Sequence, residues 1–276
     1  MGTTGLPALP LTGWRPTRDT VHGYARLLGK LRAAYTPAHK HWWHVSLRAA
    51  ATGLTTTQIP APGKTIELLL DLVRHELVIA VDGERKALPL RGQSLAAFSD
   101  EALAALARMG IEPPIDRTPF RDDTPGVYDA EAAARFWQAL AQIDAVFKRF
   151  KAGLRGVSGP VQLFPHHFDL SMNWFSGRLV PGVDPDNAEN AEEQMNFGFS
   201  TGDDGIPEPY FYITAYPAPA ELFRTPLPKD SHWHSTSFQG AVLPYEAVRR
   251  SANPAEKILE FLQTVQQAGE RLMTGR

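Results

Sequence analysis

Three stretches in the second half of the chain alternate between polar and apolar side chains. Successive side chains of a β-strand point to opposite faces, so this two-residue period predicts three strands with one apolar and one polar face. A sheet with an apolar face needs a cover, and helices are predicted to pack on it. The stretches are HHFDLSMNWF, QMNFGFS and YFYITAY, and their polar face comprises His167, Asp169, Ser171, Asn173, Gln194, Asn196, Ser200, Tyr210, Tyr212, Thr214 and Tyr216.

The predicted polar face has an unusual composition. It carries hydroxyls, amides, an imidazole and a carboxylate, but it lacks the Lys and Glu residues that a solvated sheet face normally shows. This composition suits a polar pocket. Two alternatives remain: a plain solvated face, or a second layer in which the tyrosines pack and the polar groups pair with the backbone.

Amphipathic helices and short strands account for most of the remaining chain. Apolar residues recur every three or four positions in four segments, which predicts four helices. These are about Thr17 to Tyr35, Ser94 to Met109, Asp129 to just before Gly153, and a last helix capped by Asn253. In the first half, strands are predicted at His41 to Leu47 and Leu54 to Ile59. Thr65 to Val81 is predicted to form a pair of strands meeting near Arg74 and His75, with a tight hairpin following at Asp82-Gly83.

The order helix, strands, helix occurs twice, which favours an internal duplication. Tyr24 and Phe136 lie 112 residues apart in matching helix stripes, and the pair Leu88-Pro89 recurs 155 residues later as Leu243-Pro244. Any two amphipathic helices align when slid by whole turns, but that alternative does not explain the repeated Leu-Pro before each final helix.

The fold prediction is therefore an α+β protein made of two related α-β-α halves, with antiparallel sheet and helices on one face. Residues 1–276 are predicted to form a single domain. Its halves span about 14–110 and 128–274, and the proline-rich segment 111–127 joins them.

Composition and charge exclude several classes of function. The net charge is −2 and no block of like charges occurs, so no nucleic-acid partner is predicted. The chain has no cysteine, which excludes disulfides and thiolate chemistry, and any metal would need His, Asp or Glu ligands. The start does not resemble a signal peptide and no apolar run reaches membrane length, so we expect a soluble cytoplasmic protein with no membrane partner.

Four residues are the candidates for chemistry. The predicted alternation from His41 to Leu47 places His44 on one strand face, while His167, Asp169 and Tyr212 lie on the polar face described above. A pocket between the halves could collect these side chains. There Asp169 could orient an imidazole and set its tautomer, as a carboxylate does in acid–base sites.

The functional prediction has two versions. The first is a small-molecule binding protein or enzyme with a polar, aromatic-lined pocket between the halves, in which His44, His167, Asp169 and Tyr212 are catalytic. The alternative is a non-catalytic protein-interaction module that uses the aromatic-rich surface. The sequence indicates neither a particular cofactor nor an oligomeric state.

Clustered histidines raise the question of a metal site. Seven of the nine histidines fall in three clusters, and His232-Trp233-His234 has the spacing that points two rings the same way on a strand. No carboxylate ligand lies nearby in sequence. Histidines beside tryptophans are more often packing groups, so no metal ligands are predicted.

Several short motifs together resemble one known family. They are His41-Trp42-Trp43-His44-Val45, Pro160-Val161, Phe168-Asp169-Leu170, Phe175-Ser176-Gly177-Arg178, Phe197-Gly198-Phe199 and Leu243-Pro244-Tyr245. In combination they are similar to the domain of unknown function 5996 family, an uncharacterised bacterial family, over nearly the whole chain from Trp14 to the last helix. The resemblance supports the single-domain prediction and implies no activity, cofactor or catalytic residue.

Overall fold

The computed structural model describes residues 5–275, and these form two compact units. The N-terminal unit comprises Thr12–Gln138 and Gln162–Phe168, and the C-terminal unit comprises residues 5–11, 139–161 and 169–275. Helices and antiparallel sheets are both present, which confirms the predicted α+β class. The helices are α1 (Leu11–Tyr35), α2 (Leu95–Arg108), α3 (Ala130–Ala152), α4 (Tyr245–Arg249) and α5 (Pro254–Thr274).

The sheet of the N-terminal unit is antiparallel throughout, with the strand order β1-β2-β4-β5-β6 and with β3 paired to β4. Its strands are β1 (Arg48–Ala49), β2 (Gly53–Thr55), β3 (Ile59–Ala61), β4 (Lys64–Asp71), β5 (Glu76–Val81) and β6 (Glu84–Pro89). The short strand β7 (Gln162–Phe164) also belongs to this unit. Its Leu163 exchanges backbone hydrogen bonds of 2.8 and 2.9 Å with Leu47, just before β1.

Local turn and cap predictions in this unit are confirmed. Asp82 and Gly83 connect β5 to β6 with φ angles of 48° and 92°, as a tight hairpin requires. Ser94 caps α2 by accepting a hydrogen bond from the backbone N–H of Ala97 at 3.1 Å. Gly110 follows the end of α2 in the left-handed conformation that glycine adopts without strain.

Aromatic side chains fill the core of the N-terminal unit. The rings of Tyr24 on α1 and Phe98 on α2 stack with a centroid distance of 3.8 Å, and Trp14 lies 5.2 Å from Phe136. The Tyr24 hydroxyl donates to the backbone carbonyl of Gln93 at 2.7 Å, so its polar end is satisfied. The apolar stripes of these helices are therefore buried, as their periodicity predicts.

The C-terminal unit contains a second antiparallel sheet, with the strand order β11-β12-β10-β9-β8. Its strands are β8 (Asp169–Leu179), β9 (Glu192–Ser200), β10 (Tyr210–Tyr216), β11 (His232–His234) and β12 (Gly240–Pro244). Phe150 of α3 lies 4.9 Å from Phe197 of β9. A Cβ on Gly269 of α5 would lie 2.3 Å from the sulfur of Met195, so this helix lies directly against β9. Helices thus cover the apolar face, as predicted.

Three strand predictions are wrong in whole or in part, and left-handed backbone is the reason in each case. The segment from His41 to Leu47 is no strand. A 3-10 turn spans Lys40–Trp42, and both His41 and Trp42 have positive φ angles of 58° and 57°. The alternation that places His44 on a strand face therefore does not apply.

The strand predicted to begin at His166 begins instead at Asp169. Phe168 has a φ of 57°, and its N–H donates to the carbonyl of Phe164 at 2.8 Å, which closes a tight turn. His167 belongs to this turn and not to the polar face. The predicted strand from Leu54 to Ile59 is likewise divided into β2 and β3, because Thr57 adopts a φ of 56°.

No helix within residues 5–275 is both long and apolar enough to cross a membrane. The common origin of the two halves, and the residue bounds assigned to them, stay predictions.

Candidate functional site

The polar face of the C-terminal sheet has the register that the alternation predicts. Ser171 on β8 lies opposite Gly198 on β9, which lies opposite Tyr212 on β10. Asp169 is 8% exposed and Ser171 is 1% exposed, so this face is buried around them, whereas Tyr216 at the end of β10 is 39% exposed. A polar face buried in this way must satisfy its hydrogen bonds internally, with water, or with a ligand.

A tyrosine–carboxylate hydrogen bond lies at the centre of this face. The Tyr212 hydroxyl donates to Oδ2 of Asp169, although the two residues are on strands separated by β9. The Tyr212 ring reaches Asp169 by lying over Gly198. A Cβ at position 198 would stand 2.2 Å from the ring atom Cζ and 2.4 Å from the hydroxyl oxygen. Only glycine leaves room for this arrangement.

The electrostatics of the pair keep the tyrosine protonated. Burial raises the pKa of Tyr212 well above its usual range, and the negative charge of Asp169 and the hydrogen bond between them act in the same direction. Tyr212 is therefore a neutral donor at physiological pH. In an enzyme it could supply a proton or a hydrogen bond, while the carboxylate of Asp169 accepts one.

A second tyrosine–carboxylate pair lies beside the first. The Tyr210 hydroxyl donates to Oδ2 of Asp203, and the other oxygen of Asp203 accepts from the backbone N–H groups of Gly205 and Ile206 at 2.8 and 2.9 Å. Asp203 thus fixes the loop that follows β9. The ring of Phe238 lies within 6.3 Å of both tyrosine rings, so aromatic surface borders the polar groups.

Amide side chains continue the polar face along the strands. Asn173 donates to Oε1 of Gln194 at 2.8 Å, and Gln194 donates to the carbonyl of Glu189 at 2.6 Å. Asn196 lies between Asn173 and Thr214 in the register. Its Oδ1 is buried and accepts no hydrogen bond from any group within residues 5–275. A buried acceptor of this kind calls for a donor from water or a ligand.

A family model covers this chain almost completely. The model of a family of unknown function (DUF5996) matches residues 6–274. The chain belongs to the DUF5996 family. This confirms the resemblance inferred from the sequence motifs. Comparison with the curated proteins and with the solved structures gave no match.

The structure of this DUF5996 chain brings together two of the four predicted site residues, Asp169 and Tyr212. The other two belong to the N-terminal unit. His44 accepts a hydrogen bond on Nδ1 from the N–H of His39 at 3.1 Å, and its ring stacks on Trp42 at 5.7 Å. His167 is exposed in the turn before β8. Catalytic roles for all four residues stay predictions.

Sequence reasoning missed several residues that shape this face of the DUF5996 chain. The sequence motifs include Gly198 but give it no role, and the gap that it leaves in the polar alternation is the signal that could have revealed one. Asp203 and Phe238 are in loops, where no periodicity indicates which way a side chain points. Their contacts follow from how the loops fold back over β10.

A separate cleft of about 360 Å³ lies in the N-terminal unit of the DUF5996 chain, between α1, the start of α2 and residues 122–127. His22 lines it, and its Nε2 lies 2.9 Å from the Pro165 carbonyl oxygen. Burial lowers the pKa of His22, although the hydrogen bond with Pro165 opposes this shift. His22 is outside the three histidine clusters, so clustering could not reveal it.

Residues 5–275 of the DUF5996 chain contain no group of three or more His, Asp or Glu side chains arranged to hold a metal ion. His234 of the HxH pair instead has its Nε2 3.0 Å from the Ser237 hydroxyl, and its ring contacts Phe238 at 4.7 Å.

Proposed function

We propose that this protein binds a small polar molecule on the polar face of the C-terminal sheet, with Asp169 and Tyr212 as the central contacts. The observation that carries the proposal is the Tyr212–Asp169 hydrogen bond, which exists because position 198 is glycine. A buried carboxylate paired with a neutral phenol is costly to maintain as scaffold alone. A tyrosine whose pKa is raised, paired with a carboxylate, is a feature of many ligand and catalytic sites.

The groups on this face favour one class of ligand. The strand segments that form it contain no Lys or Arg; they are residues 169–173, 194–200 and 210–216. Asp169 contributes a carboxylate, the buried Oδ1 of Asn196 offers an oxygen acceptor, and Tyr210 and Phe238 offer aromatic surface. We therefore favour a neutral or cationic molecule that donates hydrogen bonds, such as an amine or a polyol. If the molecule is also turned over, Asp169 is the candidate base and Tyr212 the candidate acid.

The alternative, a protein-interaction module, is supported by the exposed turn at Trp42. This side chain is 50% exposed, stacks on His44, and is held on left-handed backbone. Exposed tryptophans are frequent at protein interfaces. This alternative is favoured if the protein binds no small molecule in a ligand screen and the Asp169→Asn variant loses only stability.

The test combines two nearly isosteric variants with a ligand screen. Amines, polyols and nucleosides are screened by thermal shift on the parent protein, where a ligand at about 100 times its Kd adds about 2.7 kcal/mol of stability. The ligands that bind are then titrated against Asp169→Asn, Tyr212→Phe and, as a control on the same strand, Tyr216→Phe. We expect binding to collapse in the first two variants, with melting temperatures within a few degrees of the parent, and to persist in the control.

If the Tyr212–Asp169 pair only stabilises the fold, the variants should lose stability and not ligand binding. An amide at position 169 cannot accept the charge-assisted hydrogen bonds of a carboxylate, which are worth about 1.5–3 kcal/mol. A melting temperature lowered by more than about 8 °C in Asp169→Asn, with ligand binding unchanged in Tyr212→Phe, would contradict the proposal.

We also propose the cytoplasm as the location and a small molecule, not nucleic acid, as the partner. The chain has no cysteine, so it needs no oxidising compartment for disulfide formation. Its net charge of −2 provides no attraction for the phosphate backbone of a nucleic acid. Cell fractionation with an antibody against this chain would test the location.

A further inference from the structure

A partly buried polar network in the N-terminal unit is distinct in residues and chemistry from the site proposed above. It joins Arg32 of α1 to Ser46, Arg48 and Gln162. Nη1 of Arg32 donates to the Ser46 carbonyl, and the Ser46 hydroxyl donates to Oε1 of Gln162 at 2.6 Å. Arg48 donates to the same Oε1 through its Nη1. Ser46 and Gln162 are both 0% exposed, whereas Arg32 and Arg48 are half-buried, so the network runs from the interior toward the surface.

The orientation of the Gln162 amide follows from these contacts. A guanidinium can only donate hydrogen bonds, so the amide atom facing Arg48 must be the oxygen. Nε2 therefore points away from Arg48 and Ser46. It is buried and has no hydrogen-bond partner within residues 5–275. A fully buried amide thus presents two N–H donors that no described protein group accepts.

Arg32 presents a second donor of the same kind. Its Nε is buried and also has no hydrogen-bond partner in the part of the chain that the structure describes. Burial lowers the pKa of this guanidinium, and no neighbouring carboxylate contributes to the shift. With Nη1 occupied by the Ser46 carbonyl, the edge formed by Nε and Nη2 remains. That edge is the one that grips two oxygens of a carboxylate or phosphate side by side.

We propose that Arg32 and Gln162 form a binding site for the carboxylate group of a small molecule. The Nε–Nη2 edge of Arg32 holds the two carboxylate oxygens, and Nε2 of Gln162 donates a further hydrogen bond. An anion rich in acceptor oxygens offers a hydrogen-bond partner to both unpartnered donors and balances the positive charge of Arg32. Arg48 and Ser46 position the Gln162 amide. A phosphate group could bind through the same donors, and the experiment distinguishes a carboxylate from a phosphate.

The experiment measures melting temperature at pH 7 in sodium acetate and in sodium phosphate, each against sodium chloride at the same ionic strength. The variants are Arg32→Met and Gln162→Leu, and the control is Arg26→Met, which makes the same change at an exposed position of the same helix. We expect acetate to raise the melting temperature of the parent and the control more than chloride does. We expect the apparent acetate affinity to fall about tenfold or more in Arg32→Met and Gln162→Leu.

A second variant that keeps the positive charge controls for the possibility that Arg32→Met fails to fold. Arg32→Lys retains a cation but loses the two-donor edge, so we expect a folded protein with acetate binding weakened by roughly tenfold. A response to phosphate that exceeds the response to acetate, with the same dependence on Arg32, would keep the site and identify its occupant as a phosphate group. The proposal is overturned if neither anion exceeds chloride on the parent, or if Arg32→Met and Arg32→Lys respond as the parent does.

This outcome is independent of the function proposed for the C-terminal sheet. Asp169 and Tyr212 are unchanged in all of these variants, so a failed acetate response leaves the amine and polyol screen unaffected. Conversely, an acetate response lost in Asp169→Asn but kept in Arg32→Met would show that the anion acts at the other site.

Discussion

At the scale of single residues, the most informative position is a glycine. Gly198 interrupts the polar alternation of β9, and the space above it holds the ring of Tyr212. Sequence alternation correctly places Asp169 and Tyr212 on one face of the sheet. It does not predict that they touch, because contact across an intervening strand depends on the side chain between them.

Gly198→Ala should break this contact. The added Cβ would lie 2.2–2.4 Å from three atoms of the Tyr212 phenol group, so the ring must move away from Asp169. We expect the free energy of unfolding to fall by about 1–3 kcal/mol, the usual cost of overpacking. Urea denaturation monitored by circular dichroism measures this loss.

Two comparisons isolate the cause of the loss in Gly198→Ala. In Gly23→Ala the nearest atom is Leu95 Cδ1 at an ordinary 3.5 Å. Gly23 lies inside α1, where alanine is favoured by up to about 1 kcal/mol, so stability should hold or rise. In a Tyr212→Ala background the glycine change should cost far less, because the ring is absent. An equal cost in both backgrounds would refute the steric explanation.

At the scale of elements, the connection between β4 and β5 depends on one buried carboxylate. Oδ1 of Asp71 accepts from the backbone N–H groups of Val73 and Arg74 at 2.9 and 2.7 Å, and Oδ2 accepts from the Thr52 hydroxyl at 2.7 Å. The strand pair meeting near Arg74 is confirmed, since β4 ends at Asp71 and β5 begins at Glu76. Asp71 thus ties the turn of this hairpin to the segment before β2.

The hairpin should therefore weaken in acid. Burial by itself would raise the pKa of Asp71, but the hydrogen bonds from Arg74, Thr52 and Val73 lower it below its ordinary value of 3.8. A lowered folded-state pKa contributes stability that is present above the unfolded pKa and lost as the pH falls through the folded one. We expect Asp71→Asn to cost about 1.5–3 kcal/mol at pH 7, and this difference to shrink below pH 3.8.

Urea melts of the parent and of Asp71→Asn at pH 7 and at pH 3 provide the measurement. Asp123→Asn serves as the control, because Asp123 is exposed and the same change there should be nearly neutral. A stability gap between the parent and Asp71→Asn that is as large at pH 3 as at pH 7 would contradict the assignment.

At the scale of the whole molecule, tyrosine burial couples folding to alkaline pH. Both units contribute tyrosines whose pKa is raised, and burial is the largest cause in each case. They are Tyr24, Tyr35, Tyr128, Tyr210, Tyr212 and Tyr245, out of seven in the chain. The folded state therefore holds these phenols neutral more strongly than the unfolded chain does.

We expect this coupling to appear in an alkaline titration. A folded-state pKa above the unfolded value of 10 means that the stability is fully present below pH 10 and is lost as the pH rises further. Absorbance at 295 nm should show most tyrosines ionising above pH 10, together with loss of circular dichroism. The chain unfolded in guanidinium is the control. A folded chain whose tyrosines all ionise near pH 10 would contradict the burial of these side chains.

The sequence by itself determined the features that depend on neighbouring residues. The two-residue period assigned the faces of β9 and β10, Asp82-Gly83 specified a hairpin, and Asn253 was identified as the cap of α5, where its Oδ1 accepts from the N–H of Glu256 at 3.4 Å. These predictions succeed because strand alternation, turn conformation and helix capping are set within a few residues.

Only the tertiary structure decided which distant groups meet and where regular structure stops. Left-handed backbone at His41, Trp42 and Phe168 ends the predicted strands, and side chains of these types give no local sign of it. Ser46 and Gln162 are 116 residues apart, and Tyr212 and Asp169 are 43 apart. Such pairs depend on strand register and on the space left by residues like Gly198, and both arise only when the whole chain is packed.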